Sequence, residues 1–207
     1  MTTEQIDILK KIRSILITKG VRHINIKNTA HILEISQQQL KEFFKDDQDL
    51  IYQILKFERQ GFRHIFDKYS FNGVNAIDIM MIVSKELARK YDYISPAYSV
   101  EIENYYPEIY QEHFKDRSDF IFDKIQINLR KGISQNLYRS DLSIELISRL
   151  YMSRLMDIHN TDYFPPEKFS FDTLFDIMFD SLIRSIATKE GMDYYREKYV
   201  EKKNESV

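Results

Sequence analysis

Apolar residues recur every three to four positions along most of the chain, and the first such segment runs from Thr3 to Lys19. That spacing places one apolar stripe on an α-helix, and the Lys19-Gly20 pair is a typical helix end. A polar and aromatic stretch around Pro96 carries no helix prediction. The same periodicity predicts further long helices over residues 47–69, 76–90, 107–132, 142–160 and 170–189.

Two shorter helices are predicted between the first helix and residue 47. Asn25 is a suitable N-cap for the first of them, which would reach about Leu33. At the start of the second short helix, Ser36 and Gln39 have the spacing of a capping box. In this motif each side chain accepts a hydrogen bond from the backbone N–H of the other residue. Because only about two residues separate them, the pair behind a longer helix indicates a helix-turn-helix.

The composition supports an all-α fold of nine or ten helices. The chain has only 5 Gly and 4 Pro among 207 residues, whereas sheet proteins draw on both residues for frequent turns. The absence of Cys excludes disulfides, thiolate metal sites and cysteine nucleophiles. A net charge of −2 means that any surface for a polyanion must be local.

No segment suggests a membrane partner or export. The longest clear apolar run, residues 79–83, is far too short to span a bilayer. The first five residues have neither a basic n-region nor the apolar core of a signal sequence. We therefore expect a cytoplasmic protein.

The N-terminal 55 residues resemble the TetR family of bacterial transcription regulators. The resemblance rests on a first helix ending at Gly20, then Thr29-Ala30, Ser36, Leu40 and Phe44 at the family's spacing. Segments 131–142, 164–170 and 184–191 also resemble this family. The resemblance implies a helix-turn-helix DNA-binding domain over residues 1–46 and a helical ligand-binding and dimerisation domain over residues 47–207.

Four positions depart from the family pattern, one of which is Gln38, where the family usually has glycine. Glu34 stands where the family has a turn glycine, and a left-handed backbone there would cost about 1 kcal/mol for a non-glycine residue. Lys41 replaces a phosphate-contacting Tyr and keeps a hydrogen-bond donor. Asp47 replaces a phosphate-contacting Lys, and a carboxylate near phosphate repels it.

Six residues are predicted to contact DNA. Gln37 and Gln38 lie at the exposed start of the second short helix, where a glutamine can pair with adenine N6 and N7. Gln39 has the same chemistry, although it would serve equally well as the partner of the Ser36 cap. Lys27, Lys41 and Lys45 are the candidates for phosphate contacts, which position such a motif on the duplex.

The resemblance implies an effector pocket in the region from residue 76 to 160, and its aromatic side chains suit a small apolar or aromatic molecule. Tyr105, Tyr110 and Tyr151 are the candidate lining residues, although an aromatic stripe at helical spacing is more often simply core.

The last two long helices each have a broad apolar face, and a surplus apolar face suggests a partner surface. The resemblance implies that these helices pair with the same helices of a second copy in a homodimer. The dimer would then match its two helix-turn-helix units, here called the reading heads, to the two half-sites of an operator. The candidate interface residues are Leu174, Phe175, Met178, Phe179, Leu182, Ile183 and Ile186.

Catalysis and cofactor binding have no support in the sequence. There is no phosphate-cradling glycine loop, no nucleophile elbow and no His-Glu-x-x-His metal motif. We therefore expect no enzyme, no cofactor and no metal. The sequence favours a DNA-binding regulator, most simply a repressor, that binds a near-palindromic operator as a homodimer and is released by a small molecule. The alternative is a dimeric helical module for a ligand or a protein that has lost operator recognition.

Overall fold

The structure is a computed structural model that describes residues 2–69, 71–91, 96–158, 160, 162–165 and 167–201. Within those residues the chain forms ten α-helices and no strand, which confirms the all-α prediction. A 3₁₀ turn (Val21–His23) follows the first helix, and a π-helical turn (Arg196–Glu201) follows the last. The helices are α1 (Thr3–Lys19), α2 (Ile26–Ile32), α3 (Gln37–Lys41), α4 (Asp47–Lys68), α5 (Ala76–Tyr91), α6 (Pro96–Tyr105), α7 (Pro107–Ser134), α8 (Ile144–Asp157), α9 (Phe171–Ile186) and α10 (Lys189–Tyr195).

The helices form two compact units. The first unit comprises residues 1–64 and 93–117, and the second comprises residues 65–92 and 118–207. Helices α4 and α7 each contribute one part to either unit. The functional division after residue 46 stays a prediction, and residues 202–207 of its second domain lie outside the described residues.

The core of the first unit grows from the apolar stripe of α1. Thr2 caps this helix by accepting a hydrogen bond from the Gln5 N–H at 3.2 Å. The buried side chains of α1 pack against those of α2, α3 and the first half of α4, which is the three-helix arrangement with a following helix that the periodicity predicted. The buried side chains at its centre include Leu9, Ile12, Leu16, Ile26, Ala30, Leu40, Phe44, Leu50, Ile51 and Ile54.

Helix α6 has no counterpart in the sequence prediction, and it completes the first unit. Pro96 is its first residue, a position where the missing N–H of proline costs nothing. Ile102 is fully buried in the core of the first unit. The Glu101 carboxylate accepts a hydrogen bond from the Val21 N–H at 2.9 Å. Gly20, at φ +83°, makes room for it, because a Cβ there would lie 2.8 Å from a carboxylate oxygen of Glu101.

The second unit packs α5, most of α7, and α8 to α10 around a separate core. Tyr138 is buried in this core, and its hydroxyl lies 3.2 Å from Asn128 Oδ1. The Tyr138 ring lies against Gly132 of α7, where a Cβ would come within 1.9 Å of a ring carbon. This glycine therefore sits inside a helix because the tyrosine ring takes up the space of a side chain.

One carboxylate of α5 accepts hydrogen bonds from α10 and from the π-helical turn after it. Asp78 accepts hydrogen bonds from the hydroxyls of Tyr194 and Tyr199 at 2.8 and 2.6 Å, and from Lys198 Nζ at 2.7 Å. These donors outweigh the effect of burial and hold the pKa of Asp78 below its usual value. Among the described residues, no helix is long and apolar enough to cross a membrane.

Candidate nucleic-acid interface

The predicted helix-turn-helix is present, and its turn has a left-handed residue. Asn25 caps α2 by accepting a hydrogen bond from the Asn28 N–H at 2.8 Å. Glu34 has φ +57°, its N–H donates to the carbonyl of His31, and the next N–H donates to the carbonyl of Ala30. This pattern is a Schellman motif, which usually has glycine at the left-handed position. The structure therefore confirms that Glu34 occupies a backbone conformation suited to glycine.

The start of α3 is closed by the capping box that the sequence predicted. Ser36 Oγ accepts from the Gln39 N–H at 3.1 Å, and Gln39 Oε1 accepts from the Ser36 N–H at 2.9 Å. The Gln39 side chain is therefore engaged with its own helix end. Gln37 and Gln38 are exposed in the first turn of α3, and the capping box does not involve their side-chain amides.

Four of the six predicted DNA-contacting residues line one concave surface, which encloses a volume of about 620 Å³. This surface, which we call the lysine concavity, lies between the starts of α2 and α4 and one side of α3. In the part of the chain that the structure describes, no ion pair within 4.0 Å involves its three lysines. The lining residues are Asn25, Ile26, Lys27, Gln37, Lys41, Lys45, Asp46, Asp47 and Gln48.

The acidic corner beside these lysines is bonded to backbone amides. Asp46 accepts from the Asp49 N–H at 2.8 Å, and Asp49 accepts from the Lys45 N–H at 2.9 Å. Asp47 accepts from the Ile26 N–H at 2.7 Å. A carboxylate at a helix start is stabilised by the exposed N–H groups and the positive end of the helix dipole. All three carboxylates thus have a structural use at helix starts.

The first 50 residues are nearly balanced in formal charge. Residues 1–50 carry 8 basic and 7 acidic side chains, a net of +1. Since three of the acids are tied to backbone donors, their charge is partly offset by those N–H dipoles. The three lysines are exposed, so an external anion can reach their ammonium groups. The arrangement can therefore place ammonium groups and two primary amides against a polyanion.

The residues predicted to form the dimer interface do not make up the outward surface of α8 and α9. Leu174 is half-buried, and the other six candidate residues are buried in the core of the second unit. They fill that core because α9 packs against α5 and neighbouring elements along its whole apolar stripe. The exposed apolar side chains on these helices are Leu146 and Leu150 of α8 and Ile177 of α9, each more than half exposed.

The three candidate pocket tyrosines lie in different surroundings. Tyr105 is half-exposed, with the Arg22 guanidinium 5.3 Å from its ring centre. Tyr110 is partly buried against the core of the first unit. Tyr151 belongs to the second unit, where it is buried and its ring packs edge-on to Phe179 at 5.5 Å. Burial raises the pKa of the Tyr151 hydroxyl well above its usual value.

The first unit contains a buried polar cluster that the sequence does not predict. Arg59 of α4 is buried, with its guanidinium 3.3 Å from His113 Nδ1 and 3.6 Å from an Asp116 carboxylate oxygen. Burial, and then the positive charges of Arg117 and Arg59, lower the pKa of His113 to about 3. The only signal in the sequence was a histidine on a predicted helix, which by itself says nothing about its neighbours.

No protein-family model matches this sequence, and a search of curated proteins likewise finds no match. Solved structures of similar fold do exist. A TetR transcription regulator from Haloarcula marismortui superposes with a TM-score of 0.72 at 11% identity, covering 90% of this chain and all of the other. The TetR-family regulator PfmR from Thermus thermophilus gives 0.64 at 18% identity, covering 86% and 97% of the two chains.

The fatty acid degradation regulator FadR from Bacillus halodurans is similar as well, with a TM-score of 0.68 at 12% identity, covering 88% of this chain and 96% of the other. At these identities the likeness establishes the fold and nothing further. The chain has the fold of TetR-family transcription regulators, as its N-terminal residues predicted.

Proposed function

We propose that the protein is a DNA-binding transcription regulator that binds a near-palindromic operator as a homodimer and is released by a small-molecule effector. The observation that carries the proposal is the lysine concavity. It brings Lys27, Lys41 and Lys45 together beside the exposed Gln37 at the start of α3. Exposed lysines and a glutamine at a helix start are what phosphate contact and adenine recognition require.

Within this proposal, the three lysines hold the duplex backbone and two glutamines read bases. Gln37 and Gln38 are exposed in the first turn of α3, which would lie in the major groove. Gln39 is assigned to the capping box, because its amide oxygen already bonds the Ser36 N–H. Its role is to hold the start of the reading helix closed.

The proposed dimer uses the outward face of α8 and α9. Leu146 and Leu150 are one helical turn apart, and Arg154 of the same helix lies 3.4 Å from Ser181 Oγ of α9. Ile177 lies one turn before Ser181 and is 62% exposed. The two helices are therefore neighbours with exposed apolar side chains, the composition that a helix-pair interface buries. A two-fold axis through this face would present two reading heads to two half-sites.

Release by an effector follows as a shift between two states of the dimer. A small apolar or aromatic molecule would bind more tightly to the state whose reading heads do not match the spacing of the half-sites. The ratio of its affinities for the two states sets the largest factor by which it can lower operator affinity. Tyr151, whose ring packs edge-on to Phe179, is the candidate residue of the second unit for contacting such a molecule. We propose repression as the direction of regulation, since a protein bound to the operator blocks transcription.

Two observations favour the alternative function, a dimeric helical module without operator recognition. Asp46 and Asp47 line the same concavity as the lysines, and Glu34 holds the left-handed turn position. Carboxylates near phosphate reduce affinity, and a strained turn lowers the stability of the reading head.

Competition binding distinguishes the two functions. Fluorescence anisotropy with labelled duplexes from the DNA flanking the gene, against a random duplex, would be recorded between roughly 50 and 200 mM salt. The regulator predicts one duplex that binds far more tightly than random DNA, with affinity falling steeply as salt rises. Equal binding of all duplexes at every salt concentration contradicts operator recognition and supports the alternative.

A further inference from the structure

Two helices of the first unit begin at the same carboxylate. Asp47 is the first residue of α4, and its Oδ1 accepts the N–H of Ile26, the first residue of α2, at 2.7 Å. The positive ends of both helices therefore meet at one negative charge.

The bond from Asp47 differs from those of its acidic neighbours. Asp46 and Asp49 bond backbone amides only three and four residues away, so each stabilises the local start of α4. Asp47 reaches across 21 residues of sequence to another helix. Asn25 already caps α2 from within. The Asp47 bond therefore adds a link between helices and is not needed to cap α2.

This link is part of the wall of the lysine concavity, because Ile26 and Asp47 both line it. Lys27 follows Ile26 on α2, whereas Lys45 precedes Asp47 at the start of α4, and both side chains line the concavity. A shift of α2 relative to α4 would change the spacing of these two ammonium groups. Phosphates along a duplex have fixed spacing, so a pair of lysines contacts them only when its own spacing is held.

We propose that Asp47 is a positioning residue for DNA binding, which fixes α2 on α4 so that Lys27 and Lys45 reach one stretch of phosphate backbone together. The inference rests on the proposed function. It gives a use to a carboxylate that would otherwise only repel DNA. The negative charge weakens binding through repulsion, and the hydrogen bond strengthens binding through geometry, so the two effects have opposite signs.

Two substitutions separate these effects. Asp47→Asn removes the charge and keeps an oxygen that can accept the Ile26 N–H, whereas Asp47→Ala removes both. Asp47→Asn should bind the preferred duplex at least as tightly as wild type. Asp47→Ala should bind at least about fivefold more weakly than Asp47→Asn, and its plot of log affinity against log salt should be shallower by about 0.9 for each phosphate that the lysines no longer neutralise.

The change in salt slope separates positioning from stability alone. A variant that is merely less stable has less active protein but keeps the slope of the folded molecules. Hydrogen exchange measured by mass spectrometry on the peptide covering residues 24–30 gives a readout without DNA. Protection of that peptide should fall in Asp47→Ala and stay near the wild-type level in Asp47→Asn. The matched control is the pair Asp49→Asn and Asp49→Ala, whose bonds are local and which should leave this peptide protected.

Each outcome is decisive. Equal affinity and equal salt slope for Asp47→Asn and Asp47→Ala, with the wild-type chain binding its duplex, overturn the positioning role and leave the proposed function standing. A wild-type chain that prefers no duplex overturns the proposed function and the role in DNA binding with it. In that case the exchange data still report whether Asp47 links α2 to α4.

Discussion

The turn between α2 and α3 contains a glutamate in a left-handed backbone conformation, which should lower the stability of the fold. Glu34 has φ +57° and closes a Schellman motif, and its side chain is exposed. The perturbation is Glu34→Gly, which removes the Cβ that makes a left-handed backbone costly. The two hydrogen bonds of the motif are made by backbone atoms, so the substitution leaves them intact.

The expected gain is the difference between two known effects. A non-glycine residue in the left-handed region costs about 1–2 kcal/mol. Glycine gives back about 0.5–1 kcal/mol because it has more freedom in the unfolded chain. With both effects taken at the middle of their ranges, Glu34→Gly should raise the free energy of unfolding by about 0.75 kcal/mol, which corresponds to a rise of roughly 1.5–3 °C in Tm for a chain of this size.

A second site in the same chain serves as the matched control. Asn136 has the same φ of +57° just after α7, and its N–H donates to the carbonyl of Ile133 while the next N–H, of Leu137, donates to the carbonyl of Gly132, which is the same Schellman pattern. Asparagine tolerates the left-handed region far better than glutamate does. Asn136→Gly should therefore give little or no gain.

Urea unfolding followed by circular dichroism measures both variants against wild type, and Glu34→Ala adds a variant that changes the side chain but keeps a Cβ. Only Glu34→Gly should move the midpoint upward at constant slope. The reasoning is refuted when Glu34→Gly leaves the midpoint unchanged, or when Asn136→Gly or Glu34→Ala raises it equally.

Three further predictions concern other parts of the chain. The pKa of His113 is lowered to about 3 in the folded protein, so protons bind this histidine in the unfolded chain first as the pH falls. The free energy of unfolding should therefore be highest above roughly pH 6.5 and be lower by about 2 kcal/mol at pH 5. Urea unfolding at the two pH values should show a smaller loss in His113→Leu, and an equal loss contradicts this. Gly132→Ala should cost about 1–3 kcal/mol in the same assay, because its Cβ meets the buried Tyr138 ring, and a neutral result would show that the ring can move. Leu146→Glu with Ile177→Glu should give a folded monomer by sedimentation and circular dichroism, whereas a persisting dimer would place the interface elsewhere.

Local features of this fold could be predicted from the sequence. The Ser36–Gln39 capping box and the Asn25 cap depend on residues three positions apart, so residue type and spacing suffice. The apolar stripe of α1 likewise follows from periodicity, and its predicted bounds, Thr3 to Lys19, agree with the structure.

Features that depend on distant residues could not be predicted. The bond from Asp47 to Ile26 joins positions 21 apart, and nothing in either local sequence marks it. Periodicity also shows that α9 has a broad apolar face but not what covers it. The structure shows Phe179 and its neighbours covered by the chain's own core, whereas Ile177, outside that stripe, is exposed. An apolar stripe predicts burial without naming the partner.

The candidate DNA-contacting residues were predicted through the family resemblance, and the structure adds their surroundings. Lys27 is on another helix, 14 residues before Lys41 and 18 before Lys45 in the sequence, yet all three lysines line one concavity. The carboxylates of the acidic corner, which a charge count treats as simple repulsion, bond backbone amides at the starts of two helices.

The most direct test of the central claim is the DNA affinity of the double variant Lys41→Ala with Lys45→Ala. Its matched control is Lys168→Ala with Lys189→Ala, two lysines of the second unit. Measured by anisotropy on the preferred duplex across a salt series, the first pair should weaken binding and make the salt slope shallower by about 1.8, while the control pair should match wild type. Equal affinity and slope for both pairs would contradict the assignment of the lysine concavity as the DNA-binding surface.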